Sequence, residues 1–184
     1  MNLPPPRKPK KLTADELFEW AVKSLAVRAA SIGDLSTRLR RKAMLASDVA
    51  ATIARLKDVG YLDDRRYAET FANARVENEG FGRRRVLNDL RSHRIEGNLA
   101  DAAVTRALDG KAEEDLIEAW IDRRMPSVAA GRGLGTEREL AAAYRKLLRA
   151  GFSPGPVLRA LKKRAANPEI LDAVVEEEEE EPEL

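Results

Sequence analysis

The stretch Leu39-Arg-Arg-Lys-Ala-Met44-Leu-Ala-Ser-Asp-Val49-Ala-Ala-Thr-Ile53 spaces its apolar residues in a way that occurs twice more in the chain. The same spacing returns as Leu90, Ile95, Ala100 and Val104, and again as Leu147, Phe152, Val157 and Leu161, offset by 51 and then 57 residues. Self-similarity at such a period is the mark of a repeat architecture. In each copy the first apolar residue closes a basic helix, the second fills a short turn, and the last two open the apolar face of another helix. A longer helix with aromatics precedes each copy: Phe18 and Trp20, then Tyr67 and Phe71, then Trp120. The unit is therefore three helices. The fold read from this pattern is all-α, three tandem three-helix repeats forming an elongated, curved array in which neighbours bury each other's apolar faces.

Local signals place the helix ends. Thr13-Ala-Asp-Glu16 and Thr136-Glu-Arg-Glu139 are capping boxes, hydroxyl and carboxylate each answering a backbone N–H of the other residue. Ser153 precedes Pro154, whose missing N–H costs nothing in a first turn, and Asp63 can cap the helix after it. Gly60, Gly80, Gly110 and Gly151 sit where left-handed C-terminal caps are expected. These boundaries predict about nine short helices. The repeats run over 13–62, 63–110 and 111–166. Residues 1–12 read as a disordered basic, proline-rich arm rather than a secretory signal, and residues 167–184 as an acidic, disordered tail.

Composition narrows the function. The chain has 184 residues, no cysteine and one histidine, His93, which removes thiol chemistry, disulfides and multi-histidine metal sites. Ser-His-Asp catalysis would have to use His93 as its base, but its place at a helix end favours a capping role. No cofactor is expected. A net charge of +2 hides an asymmetry, because Glu176–Glu181 and Glu183 crowd the C-terminus and leave about +9 on the body. Such a body suits an anionic partner, and a tethered polyanion could compete for the same face. No apolar run approaches the roughly 18 residues of a membrane span.

The second helix of every repeat is basic. Arg38, Arg41 and Lys42 in the first, and Arg84, Arg91 and Arg94 in the second, lie at spacings that share a face opposite the apolar positions. Arg85 in the second repeat, and Arg145 and Arg149 in the third, complete the candidate binding set. Stacked repeats would align these faces into a basic stripe able to follow a polyanion; the alternative is a set of ordinary solvated faces. Trp20, Phe71, Trp120 and Phe152 fall on apolar positions and read as core rather than base-stacking platforms. Gly131-Arg-Gly-Leu-Gly135-Thr lacks the Gly-Lys-Ser/Thr ending of a P-loop and reads as an inter-helix loop. Asp63 and Asp64, followed by Arg65 and Arg66, read as a cap with a dipole complement, not as an acid–base pair.

One segment carries a family resemblance. Gly60-Tyr-Leu-Asp-Asp-Arg-Arg-Tyr-Ala-Glu69 resembles the turn and aromatic-Ala helix that join repeats in the RecX family of recombination regulators. Gly82-Arg-Arg-Arg85-Val86-Leu-Asn-Asp89-Leu90 followed by Ile95, and Leu147-Leu-Arg-Ala-Gly151-Phe152, are similar to the corresponding segments of its second and third repeats. The likeness covers roughly residues 14–165, with Arg94 standing where the family usually has glycine. It implies a cytoplasmic, non-enzymatic protein of three helical repeats that binds the RecA recombinase filament on DNA; a monomer is expected. Such a protein restrains strand exchange, ATP hydrolysis and coprotease activity, and so acts in DNA repair and the SOS response. Single- or double-stranded DNA is a further partner under this reading. Two other readings stay open: a regulator that binds DNA directly through helix pairs, for which only Asn88 offers a base-reading amide, and a helical scaffold with no nucleoprotein partner.

Overall fold

The structure is a computed structural model that describes residues 11–132, 134–165 and 169. Most of the N-terminal arm and nearly all of the acidic tail lie outside the described residues. Within them there are ten helices: α1 (Ala14–Val27), α2 (Ile32–Lys42), α3 (Ala46–Asp58), α4 (Asp64–Glu77), α5 (Arg83–Ser92), α6 (Gly97–Ala107), α7 (Glu113–Arg124), α8 (Pro126–Ala129), α9 (Glu137–Arg149) and α10 (Pro154–Lys162). The one beyond the expected nine is α8, a single turn opened by Pro126 in its first helical position. All four glycines expected as left-handed caps have positive φ.

Two compact units result. The first takes in the chain through Thr70 together with Leu90–Ala100, the second Phe71–Asp89 and the described residues from Asp101 on. In the first unit α1 presents Leu17 and Ala21, four residues apart and fully buried, against Leu35 and Leu39 of α2 and Leu56 of α3. The turn after α2 departs from the sequence expectation: Met44 is 59% exposed, whereas its counterparts Ile95 and Phe152 are 4% and 0%. The reason lies upstream. Leu12 forms an isolated parallel bridge with Ala43, its N–H donating to the Lys42 carbonyl at 2.8 Å and its carbonyl accepting from Met44 N–H at 2.9 Å. Leu12 packs on the core cluster, so Lys11 and Leu12 belong to the folded unit and not to a disordered arm.

The paired acids of the resemblance segment also divide their roles. The Asp63 carboxylate accepts from Arg65 and Arg66 N–H at 2.9 and 3.0 Å and caps α4 as expected. The Asp64 carboxylate instead accepts from Ile32 N–H at 2.8 Å, so it closes the first turn of α2, which is remote in sequence.

In the second unit α9 carries Leu140, Ala143, Tyr144 and Leu147 on one buried stripe. They share a core with Ile117, Trp120 and Ile121 of α7, Val157 and Leu161 of α10, and Phe152 in the turn between. Trp120 meets Phe152 edge to face, centroids 6.4 Å apart. The entry to α5 rests on bare backbone: Gly82 N–H donates to the Ala150 carbonyl at 2.9 Å and Arg84 N–H to the Gly151 carbonyl at 3.1 Å. A Cβ on Gly151 would stand 2.3 Å from the Arg85 backbone nitrogen. The Thr136 box forms as read, Glu139 accepting from Thr136 N–H at 3.1 Å. Ser153 precedes α10 but its hydroxyl makes no cap bond; its N–H donates to Glu113 at 2.7 Å.

Two measurements check this packing. Leu90→Ala should lower unfolding free energy by about 2–5 kcal/mol, since Leu90 is fully buried and its removal leaves a cavity. Gly151→Ala should cost more than about 2 kcal/mol, because the φ of 94° and the backbone contact both oppose a side chain. A urea midpoint near wild type for either variant would show that its site is less tightly packed. Carboxyl NMR titration checks the two helix-end acids. Asp64 should titrate above 3.8, because burial outweighs its bond from Ile32. Glu139 should titrate below 4.5, because the Thr136 hydroxyl, then the Thr136 and Gly135 N–H groups, favour the carboxylate. By linkage the folded state then holds the Asp64 proton more tightly, so its contribution is full below 3.8 and is lost as pH rises through its raised value; that of Glu139 is present above 4.5 and lost as pH falls through its lowered value.

Candidate functional site

The first unit concentrates its polar chemistry where α2 begins. Ser31 caps the helix by accepting from Asp34 N–H at 3.0 Å, and its hydroxyl proton goes to the His93 carbonyl at 2.5 Å. Asp34 then uses both carboxylate oxygens. Oδ2 meets His93 Nδ1 at 2.6 Å and Oδ1 accepts from Arg94 Nη1 at 2.6 Å. The Tyr67 ring stands edge-on to His93, centroids 5.9 Å apart.

Arg94 lies beyond the end of α5, at φ 59°, so its expected place on a helical face with Arg84 and Arg91 is corrected. It occupies the left-handed cap position itself: its N–H donates to the Arg91 carbonyl at 2.8 Å and Ile95 N–H to the Leu90 carbonyl at 3.1 Å. That backbone disfavours a side chain, and the cost is offset by what holds the arginine. Its stem lies on Gly33, where a Cβ would come within 2.5 Å of Arg94 Cβ, and its guanidinium ends on Asp34. The His93 ring, expected in a capping role, is engaged by the Asp34 carboxylate, supplied by another helix.

The candidate cations fall into distinct situations. Arg41, Arg84 and Arg149 are exposed and make no ion pair among the described residues. Arg85 pairs with Asp89 at 3.1 Å and lies over the Phe81 ring. The Lys42 ammonium lies 4.8 Å above the half-buried Trp20 ring. Arg91 is exposed, and Arg145 is half-buried. Arg38 is half-buried, with Nη1 donating to Ser24 Oγ at 3.1 Å. Arg38, Arg41 and Arg94 line one cleft of about 320 Å³ with Arg28, Tyr67 and His93. Arg28 was missed because it sits in the loop before α2, outside the basic-helix pattern.

Among the described residues no group of His, Asp or Glu could hold a metal ion, and no helix is long and apolar enough to cross a membrane. The N–H groups of Gly135 and Thr136 already donate to Glu139 at 3.1 Å, so the glycine loop does not open toward an anion there. Trp120 and Phe152 are core residues, as expected, while Phe71 is half-buried beside Arg75.

Comparison with known proteins adds a second line of observation. The family model described as "RecX, second three-helix domain" matches residues 63–104. The chain is 30% identical over 129 residues to the regulatory protein RecX of Thermobifida fusca, a match covering 70% of this chain and 68% of that one. It is 28% identical over 129 residues to the regulatory protein RecX of Streptomyces coelicolor, covering 70% of this chain and 66%, just under two thirds, of that relative. A solved structure titled "Crystal structure of regulatory protein RecX" superposes with a TM-score of 0.66 at 17% identity, over 82% of this chain and 73% of that one, which speaks to the fold.

The Asp34 junction generates its own test. Asp34→Ala should destabilise by about 1–3 kcal/mol, because two donors lose a shared acceptor. Arg94→Gly should stay within about 1 kcal/mol of wild type, since relief of the left-handed backbone offsets a partly exposed ion pair. Chemical denaturation of both variants checks this, and the opposite order would mean that the arginine, not the acid, holds the turn.

Proposed function

The chain belongs to the RecX family of regulatory proteins, and from that membership we propose that it binds the RecA recombinase filament on DNA and restrains its strand exchange, ATP hydrolysis and coprotease activity. It does so without catalysis or a cofactor of its own, as a cytoplasmic monomer built of helical repeats. The observation that carries this reading is the set Arg41, Arg84 and Arg149. These are the expected cations of three different basic helices, all exposed and without acid partners among the described residues. Exposed cations with no internal partner add little to folding but raise the rate and specificity of association with an anionic surface. A filament repeats its surface along its length, so several modest contacts on one chain reinforce one another.

The test is the triple reversal Arg41→Glu, Arg84→Glu and Arg149→Glu. The concentration needed to inhibit the RecA ATPase on single-stranded DNA should rise about tenfold or more, with the melting temperature nearly unchanged. Inhibition equal to wild type would return these arginines to ordinary solvated faces. Where DNA phosphates are contacted directly, the log–log salt slope on single strands should approach about −0.7 per neutralised phosphate.

A further inference from the structure

We propose that the cleft of the first unit between the α1–α2 loop, α2 and the His93–Arg94 turn is a phosphate-binding site, in which Arg28, Arg38 and Arg41 grip the oxygens of one phosphate group. It refines the proposed basic contact surface and rests on that reading for its biological setting alone.

Charge is the first reason. Four arginines, Arg28, Arg38, Arg41 and Arg94, line one cleft of about 320 Å³ whose single acid among the described residues is Asp34. Both Asp34 oxygens are already engaged, by His93 Nδ1 and Arg94 Nη1, so Asp34 neutralises the floor of the cleft and leaves the other three arginines uncompensated. Arg28 and Arg41 make no ion pair among the described residues.

Hydrogen bonding is the second and independent reason. Arg38 Nε is buried and has no hydrogen-bond partner, while Nη1 of the same guanidinium is occupied by Ser24 Oγ at 3.1 Å. Buried donors are nearly always satisfied, and an exception asks for a missing acceptor. Burial denies Arg38 the easy solvation open to Arg41, and its side chain lines the cleft, so a turn of the guanidinium toward an entering acceptor would satisfy a charged donor that folding left unused.

The donor geometry selects the ligand. A guanidinium offers a planar fork that matches carboxylate or phosphate oxygens. Three such forks present more N–H groups than the two oxygens of a carboxylate accept, whereas a phosphate carries more oxygens and holds them in a tetrahedron that can be gripped from several directions. The floor is set by covalent and packing constraints: Arg94 is fixed by its cap position and by Gly33, and the Thr37 hydroxyl is turned to the Gly33 carbonyl at 2.9 Å. Arg28 and Arg41 are exposed and reach the cleft from its solvent side. Two sources share this chemistry, the phosphodiesters of a DNA strand and a phosphate monoester, free or at a strand terminus.

The experiment follows the Arg38 Nε–H resonance of the ¹⁵N-labelled full chain at constant ionic strength. Inorganic phosphate, a twelve-residue oligothymidylate with a 5′-hydroxyl, and the same strand with a 5′-phosphate are each titrated in. A saturable downfield shift of Arg38 Nε–H is expected, weakened about tenfold in Arg28→Gln/Arg41→Gln and unchanged in Arg65→Gln, whose side chain pairs with Glu69. A shift by the 5′-hydroxyl strand assigns the site to strand phosphodiesters; a shift only by inorganic phosphate and the 5′-phosphorylated strand assigns it to monoesters. A non-saturating shift shared by Arg84 and Arg149, no shift at Arg38, or wild-type affinity in the double variant overturns the site. No recombinase is present, so failure here is separate from failure of the filament reading. If Arg28→Gln/Arg41→Gln loses phosphate binding but inhibits the recombinase normally, the site stands and the filament contact lies on other arginines.

Discussion

The first four N–H groups and last four carbonyls of a helix find no partner within it, and the ten short helices of the described residues have many such ends. This protein satisfies several of them with groups from distant segments. Asp64 closes the start of α2, the Ala150 and Gly151 carbonyls at the end of α9 receive the start of α5, and Leu12 pairs with the chain that leaves α2. Each of these bonds fulfils a local need and at the same time fixes where a remote segment must lie. Apolar contact is non-directional, but a helix-end N–H bonded to one acceptor specifies its partner. Register is therefore held at the ends, while burial of residues such as Leu39, Leu90 and Leu147 supplies the driving force.

That division explains what could be read from sequence. The apolar period, the glycine caps and the Thr136 capping box are local, and their physics is complete within a few residues. Leu39, Leu90 and Leu147 are all fully buried, as their shared spacing requires. Met44 misleads because Leu12, outside the repeat, takes the adjoining space at the core. Asp64 looks like a second cap residue of α4 and serves α2. His93 looks like a cation at a helix end, yet its ring answers an acid on another helix. In each case the deciding partner is about 30 to 60 residues away, beyond the reach of any periodicity.

The basic residues show the same limit in electrostatic form. Spacing marks which arginines share a helix but not which are already matched. Arg85 could have been discounted, since Asp89 follows at i+4. Arg83 could not, because Asp101 and Thr105, which engage it at 3.1 and 3.0 Å, lie on α6. Arg94 could not, because Asp34 lies on α2. A count of basic residues therefore overstates the free charge, and the useful quantity is the set left over once the acids of the fold have been assigned.

Arg94 shows how that assignment shapes a surface. Glycine would suit its left-handed backbone without side-chain cost, and an arginine there is tolerated because Gly33 leaves room for its stem and Asp34 takes its charge. The same acid then cannot serve Arg38 or Arg41 on its own helix, although Arg38 lies one turn away and would be a natural partner at that spacing. By drawing Asp34 toward the His93–Arg94 turn, the fold commits the one carboxylate that lines the cleft among the described residues to its own architecture. The positive charge of α2 is thereby exposed to whatever anion approaches, so the strained cap and the open basic cleft are two consequences of a single pairing.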